Sequence, residues 1–203
     1  MRRYATPVVL WLMVLFLMCG CASGRRPAGD EDGYLARKFA LSSYIEEGDL
    51  VALIVGARQA GIVKESDYMP LEIGVANKGL SQLTLTPESF VLVDEDGNRY
   101  PAIPSTELYR EYRRVDVDRR LGEILPVLLG RFPLYSLVPS NFTPSFDFPA
   151  PLKRPVLQRH ALMQDLIYFP SPATGVRGRT FELFLSSPEL ESPVFVRFRV
   201  ASK

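Results

Sequence analysis

The strongest constraint on the fold of this chain is a segment close to its C-terminus in which every second side chain is apolar, with Phe195, Arg197 and Arg199 on the opposite face. In residues 194–200 every second side chain is apolar, and those that share a face are Val194, Val196, Phe198 and Val200. A period of two is typical of a β-strand with one buried face. Residues 180–185 repeat the pattern with Phe181, Leu183 and Leu185. The sequence therefore predicts two β-strands near the end of the chain.

Short segments upstream carry the same kind of signal. Residues 50–57 form an apolar run that fits a buried strand, although periodicity alone also allows a buried helix there. Residues 71–75 alternate and are followed by an Asn77-Lys78-Gly79 turn. Residues 83–85 and 90–93 read as two more strands, and the turn at residues 94–98 leads into a return strand at Arg99. Strands separated by turns, without intervening crossover helices, predict a mainly β protein built as an antiparallel sandwich.

Composition narrows the class of protein and of partner. The chain has 203 residues, a length typical of one domain or of one domain with an insertion. Its 47% hydrophobic and 23% charged residues exclude bulk intrinsic disorder. The 24 basic side chains are balanced by 23 acidic ones, so no overall positive charge would attract nucleic acid.

The strands and turns of residues 71–100 resemble the immunoglobulin-like domain of many secreted bacterial lipoproteins. The matching positions are residues 71–79, Leu83, Leu85, Phe90, Leu92, Asp94, Gly97 and Tyr100. The closing strands also fit this pattern, and the resemblance covers about half of the chain that follows the leader. It implies an immunoglobulin-like β-sandwich and a role as a binding or assembly module. It supplies no catalytic residues.

The first twenty residues have the organisation of an export signal. Arg2 and Arg3 form a positive start, and residues 8–18 are an uncharged apolar run. A spanning helix needs about 20 apolar residues, so the run has the length of a signal-peptide core rather than of a membrane span. An ordinary secretory signal or an N-terminal anchor helix is the alternative.

The end of this leader, Met18-Cys19-Gly20-Cys21, resembles the lipobox of bacterial lipoproteins. The resemblance implies cleavage between Gly20 and Cys21 and attachment of acyl chains, palmitate among them, to Cys21. Met18 departs from the family's usual Leu at that position. In the same family an Asp directly after the cysteine retains the protein at the inner membrane. Ala22 stands there, which implies anchoring to the outer membrane, facing the periplasm.

These features divide the chain into three parts. Residues 1–20 are predicted to be the signal peptide, and residues 21–33, rich in Gly, Pro and charge, a lipidated flexible tether. Residues 34–203 are predicted to form the sandwich, with an insertion at about residues 104–160. Within the insertion, residues 105–130 have helical spacing and predict one or two helices.

The second half of the insertion combines prolines with aromatic side chains. Regular helix and central strand are both disfavoured by the prolines at positions 133, 139, 144, 149, 151 and 155. The aromatic residues between them are Phe132, Tyr135, Phe142, Phe146 and Phe148. They are too numerous for a solvated linker, so they either wrap over the sandwich or offer a surface to a partner. We predict these five residues as a partner surface.

Candidate chemical sites are few. Asp94, Asp96 and Asn98 have the spacing that opens a calcium loop, but Arg99 and Ser105 stand where the required Gly and Glu would be, so a hairpin turn is the better interpretation. His160 is the single histidine, and no Gly-x-Ser-x-Gly motif accompanies it. The Gly175–Arg179 segment predicts a β-turn. No metal, cofactor or catalytic residue is predicted.

The sequence thus favours a non-enzymatic lipoprotein, attached to the membrane through its N-terminal lipid, that binds a protein partner in the cell envelope. Two alternatives remain open: a carrier of carbohydrate or another small ligand, and an envelope hydrolase.

Overall fold

The predicted strands are present in the structure, a computed structural model that describes residues 37–40, 42–63, 66–143 and 154–202. The leader, the tether, Gly20, Cys21, Phe146 and Phe148 lie outside the described residues. The strands in chain order are β1 Arg37–Ala40, β2 Ser43–Glu47, β3 Val51–Gly56, β4 Tyr68–Asn77, β5 Gln82–Thr84, β6 Phe90–Asp94, β7 Arg99–Pro101, β8 Ser136–Leu137, β9 Val156–Gln158, β10 Ala161–Pro170, β11 Thr180–Leu185 and β12 Val194–Arg199. The prediction of a mainly β fold is confirmed.

Two sheets face each other. The larger has the order β1-β2-β3-β4-β10-β8, antiparallel except for β8, which runs parallel to β10. The smaller has the antiparallel order β12-β11-β6-β7, and β5 pairs with β9 in a separate two-stranded sheet. The main hydrophobic core lies between the two large sheets, because it joins Leu53 and Ile73 of the first to Leu92 and Val196 of the second.

The chain alternates between the sheets. It passes from β4 to β6 in the second sheet, returns to β10 beside β4, and crosses again to β11 beside β6. This Greek-key alternation is the one an immunoglobulin-like sandwich requires. The parallel β8 and the extra strands β1 and β2 depart from the standard order. The immunoglobulin-like sandwich therefore stays a prediction.

Short helices follow β3 and β7. They are α1 Arg58–Ile62, α2 Ser105–Glu111, α3 Val115–Arg120 and α4 Ile124–Arg131. The residues 105–131 therefore form three short helices rather than the one or two predicted. Ser105 is the first residue of α2, and the N-cap position is occupied by Pro104, which makes no side-chain capping hydrogen bond. Pro126 lies in the first turn of α4, where its missing N–H costs no helical hydrogen bond.

The helices of the insertion cover the outer face of the larger sheet. Ile124 and Leu128 of α4 pack with Ala52, Ile54 and Ala76 in a second hydrophobic cluster. Leu108, Tyr112 and Val115 pack with Leu166 and Tyr168 in a third. The larger sheet is therefore buried on both faces along β3, β4 and β10. Within the described residues, no helix is long and apolar enough to cross a membrane.

Candidate functional site

A cleft of about 760 Å³ opens at the end of the sandwich where β4 begins and β10 ends. One wall comes from α1 and the start of β4, and the other from the loop that joins β10 to β11. Ser171 N–H donates to the Asp67 carbonyl at 2.9 Å and ties the two walls together at the base. We refer to this feature, lined by Ala60, Val63, residues 66–69 and residues 171–177, as the end cleft.

The floor of the end cleft is continuous with the main core. Ala60 and Met69 are almost fully buried and belong to that core, and Val176 packs against it. The rim is polar, with Ser66, Asp67, Ser171, Thr174 and Arg177. An apolar floor with a few polar groups at the rim, in a cleft of some 300–1,000 Å³, is the usual form of a small-ligand site.

Two opposite charges line this cleft without pairing with each other. Asp67 is exposed, and Arg177 is held by an Nη2–H bond to the Ile62 carbonyl at 3.5 Å. Among the described residues, no ion pair joins either side chain to another. Both charges are therefore available to a bound molecule.

Glu72, at the buried centre of β4, connects the larger sheet to α4. Its Oε2 accepts the backbone N–H groups of Glu123 at 2.7 Å and Ile124 at 3.2 Å. Its Oε1 accepts the side-chain amide of Gln164 at 2.9 Å. Burial raises the pKa of Glu72, and the two backbone donors oppose this rise. The carboxylate thus caps the start of α4.

Asp118 and two tyrosines form a buried polar group beneath α2 and α3. The Asp118 Oδ2 accepts the hydroxyl protons of Tyr112 at 2.5 Å and Tyr168 at 3.1 Å. Burial raises the pKa of Asp118 above its ordinary value, and it also raises the pKa of both tyrosines. All three side chains face protein rather than a cleft, so their arrangement is structural.

Asp165 of β10 is fully buried and holds the segment after β8. Its Oδ2 accepts the Phe142 N–H at 2.6 Å, and the Arg119 guanidinium lies 3.6 Å from its Oδ1. Arg119 also donates to the Thr143 carbonyl at 2.6 Å. Burial raises the pKa of Asp165, whereas the Phe142 donor and the Arg119 charge lower it.

The Asp94–Asn98 segment forms a turn in which Gly97 has a φ of +85°. Asp94 Oδ1 accepts the N–H groups of Asp96 and Asn98, and its Oδ2 accepts the Tyr100 hydroxyl proton at 2.9 Å. Asp96 instead pairs with Arg179 at 2.6 Å. These carboxylates are engaged by protein donors, and the described residues contain no group of side chains arranged to hold a metal ion.

The other sequence candidates lie apart from the end cleft. His160 is exposed, has a φ of +61°, and contacts the Tyr135 ring at a centroid distance of 5.2 Å. It belongs to the turn before β10, at the opposite end of that strand. Gly175 and Gly178 both have positive φ, as the predicted β-turn requires.

The aromatic residues predicted as a partner surface occupy separate environments. Phe132 is buried in the cluster beneath α4, and Phe142 is buried in the main core, where its ring lies 6.2 Å from that of Phe90. Tyr135 is half-buried and packs on Phe132. At Phe132 and Phe142 the side chains therefore wrap over the sandwich, which was the first of the two alternatives.

Sequence reasoning missed the end cleft. Its lining comes from two segments about a hundred residues apart, and neither carries a motif. The one signal that the sequence offers is the Gly175–Arg179 segment, which predicts a turn. The turn is present, and it also directs Arg177 toward the cleft while Arg179 pairs with Glu95 and Asp96.

Comparison with known proteins gives distant structural neighbours. No family model matches the chain, and no match was found among curated proteins. A candidate lipoprotein (ycdA) from Bacillus subtilis subsp. subtilis str. 168 is 12% identical, with a TM-score of 0.43 over 78% of this chain and 39% of that one. The yjhA protein from Bacillus subtilis is 9% identical, with a TM-score of 0.39 over 76% of this chain and 95% of that one. This chain thus spans about two fifths of the first neighbour's length.

Proposed function

We propose that this protein is a lipid-anchored, non-enzymatic binding module of the cell envelope and that its end cleft is the binding site. The observation that carries the membrane anchor is Gly20-Cys21, which closely follows the uncharged apolar run of residues 8–18. Two or more acyl chains on Cys21 would hold the protein on a bilayer almost permanently, since each buried CH₂ contributes about 0.8 kcal/mol. Because Ala22 follows the cysteine, we assign the outer membrane, with the domain facing the periplasm.

The chemistry of the end cleft supports binding rather than catalysis. Its described lining contains one carboxylate, Asp67, one guanidinium, Arg177, and three hydroxyl side chains besides Tyr68, with no histidine or cysteine. A hydrolase needs a nucleophile beside a base, or two carboxylates at a set separation. An apolar floor with two opposite charges suits recognition of a ligand instead.

The carrier alternative is favoured by the volume of the same cleft. Phe132 and Phe142 of the insertion are buried, so they do not form an exposed platform on which a ligand could stack. A small ligand would therefore occupy the end cleft rather than an aromatic platform. The binding module and the carrier share this site, and they differ in whether the ligand is free or part of an envelope component.

Metabolic labelling with an alkyne-bearing palmitate tests the anchor. Wild-type protein should carry the label and fractionate with membranes. The Cys21→Ser variant should lose the label and leave the membrane fraction, whereas the matched Cys19→Ser variant should keep both properties. A Cys21→Ser protein that still carries the label would refute the assignment.

A further inference from the structure

We propose that the end cleft binds the zwitterionic form of a short peptide, with the ligand's carboxylate on Arg177 and its ammonium group on Asp67. This inference depends on the proposed role as a binding module and names the class of ligand. It starts from an unusual juxtaposition: two opposite charges line one concavity, and the described structure forms no ion pair between them.

The two charges are anchored on different parts of the cleft. Asp67 directly precedes β4 and is tied to Ser171 through its backbone carbonyl. The Arg177 guanidinium reaches toward α1, where it contacts the Ile62 carbonyl. A ligand that spans the cleft between these positions needs a cationic group near Asp67 and an anionic group near Arg177. A ligand with one charge would leave the other charged side chain partly desolvated without a partner, which is unfavourable.

The hydroxyl groups on the rim favour a ligand with carbonyl oxygens. The Ser66 Oγ already accepts the Tyr68 N–H at 3.1 Å, and the Thr174 Oγ1 already accepts a guanidinium N–H from Arg179. Each hydroxyl keeps its own proton to donate. The forked guanidinium of Arg177 matches a planar carboxylate. Peptide carbonyls, a terminal carboxylate and a terminal ammonium group together satisfy all of these side chains.

The floor selects for an apolar side chain on the ligand. Val63 and Met69 are buried at the base of the cleft, and Val176 is half-buried against the main core. An apolar ligand side chain placed there would be removed from water, which favours binding in proportion to the buried apolar area. We therefore expect a free peptide with an aliphatic residue to bind better than one with small or charged residues.

Isothermal titration of the purified full-length protein in detergent tests this assignment. The probes are alanyl-leucine, its N-acetyl derivative and its C-terminal amide. We expect the free dipeptide to bind and each blocked form to bind about tenfold more weakly or worse, because a charge-assisted contact is lost. Equal affinity for all three forms would overturn the proposal.

Two substitutions assign the charges individually. The Asp67→Asn variant should bind the free and the N-acetylated dipeptide with similar affinity. The Arg177→Gln variant should bind the free and the amidated dipeptide with similar affinity. The matched controls Asp49→Asn and Arg159→Gln change exposed residues at the opposite end of the sandwich, and they should leave every affinity unchanged. If the control variants alter discrimination as much as the cleft variants, the assignment is wrong.

Ala173→Trp provides a test that alters no charge. Ala173 is exposed on the rim, so the indole should narrow the cleft without disturbing the core. Dipeptide binding should fall at least tenfold while the unliganded melting temperature stays the same. Wild-type affinity in this variant would place the ligand elsewhere and overturn the proposal. If no dipeptide binds although Cys21 is acylated, the ligand class is refuted and the membrane-anchored module stands.

Discussion

The close approach of α4 to the larger sheet depends on the absence of a side chain at Gly74. A Cβ atom at that position would lie 2.5 Å from the Leu128 Cδ1, 3.0 Å from its Cγ and 3.2 Å from the Ile124 Cδ1. Carbon atoms in ordinary contact are about 3.5–4.0 Å apart. Leu128 is fully buried, so its side chain has little freedom to move away. We therefore predict that Gly74→Ala destabilises the protein.

The magnitude follows from two opposing effects. Overpacking of a filled core typically costs about 1–3 kcal/mol. Replacing Gly by Ala also reduces the backbone freedom of the unfolded chain, which raises the free energy of unfolding by about 0.4–1 kcal/mol. The net loss in the free energy of unfolding should be about 1–2 kcal/mol. Gly130→Ala is the matched control, because a Cβ at that position of α4 would meet nothing within 4 Å. It should stabilise the helix by about 0.5–1 kcal/mol.

A double-mutant cycle with Leu128→Ala isolates the contact. That substitution alone should cost about 2–5 kcal/mol through the lost burial and the cavity that remains. It removes the two nearest atoms and leaves the Ile124 Cδ1 at 3.2 Å, so Gly74→Ala should cost much less in its background than in the wild type. Urea unfolding, monitored by circular dichroism, measures all four free energies. Additive effects of the two substitutions would refute the packing argument, because neighbours that clash cannot act independently.

Three further predictions concern buried or hydrogen-bonded polar groups. Tyr112→Phe removes the donor 2.5 Å from Asp118 and should cost about 1–3 kcal/mol in urea unfolding, and an unchanged midpoint would contradict this. Because burial raises the pKa of Asp118, the wild-type carboxyl favours folding less as the pH rises above the ordinary pKa of Asp, about 4, so Asp118→Asn should gain stability relative to wild type as the pH rises. A difference in stability between Asp118→Asn and wild type that does not change with pH would refute this prediction. Burial tends to raise the pKa of Glu189, but hydrogen bonds from Ser187 and Thr84 outweigh it and lower the pKa to about 2. The carboxylate therefore stabilises the fold above the ordinary pKa of Glu, and Glu189→Gln should cost about 1 kcal/mol at neutral pH. The difference in the free energy of unfolding between Glu189→Gln and wild type should shrink as the pH falls through about 2. An acid titration of both proteins checks this prediction.

The inner faces of the strands could be predicted from sequence because their side chains alternate with a period of two. Leu71, Ile73 and Val75 point into the main core, as their alternation predicts. The outer face of the same strand gave no comparable signal, since Glu72, Gly74 and Ala76 look like a polar or solvent-exposed face. In the structure the small residues Gly74 and Ala76 allow α4 to pack closely, and Glu72 accepts the N–H groups at its start. In the sequence, a strand face that packs closely against a helix therefore looks like a solvent-exposed face.

Strand β10 was missed for a related reason. Both of its faces are buried, so its side chains do not alternate between apolar and polar. Asp165 interrupts the apolar run, although it points to the same side as Ile73, its partner on β4, toward the core. The sequence cannot show that Arg119 and the Phe142 N–H, both distant along the chain, neutralise and satisfy this carboxylate. The end cleft could not be predicted for the same reason, because residues 60–63, 66–69 and 171–177 come together only after β4 pairs with β10.

The buried acids explain how the insertion finds one position on the sheet. Helices α2, α3 and α4 have seven, six and eight residues, too few to be stable alone in water. Apolar packing favours covering the sheet but does not by itself select a single placement. Each carboxylate does select one, because at least one of its oxygens receives hydrogen bonds only when specific donors lie beside it.

The three acids act at three separate points of attachment. Glu72 of the sheet accepts the first N–H groups of α4, and Asp165 of the sheet accepts the Phe142 N–H. Asp118 makes the reverse connection, from α3 to the Tyr168 hydroxyl on the sheet. A displaced helix would leave a buried carboxylate without donors, which is far more costly than a lost apolar contact. The pKa values of these acids are raised because the carboxylates that fix the position of the insertion are buried. A catalytic role is not needed to explain the raised pKa values.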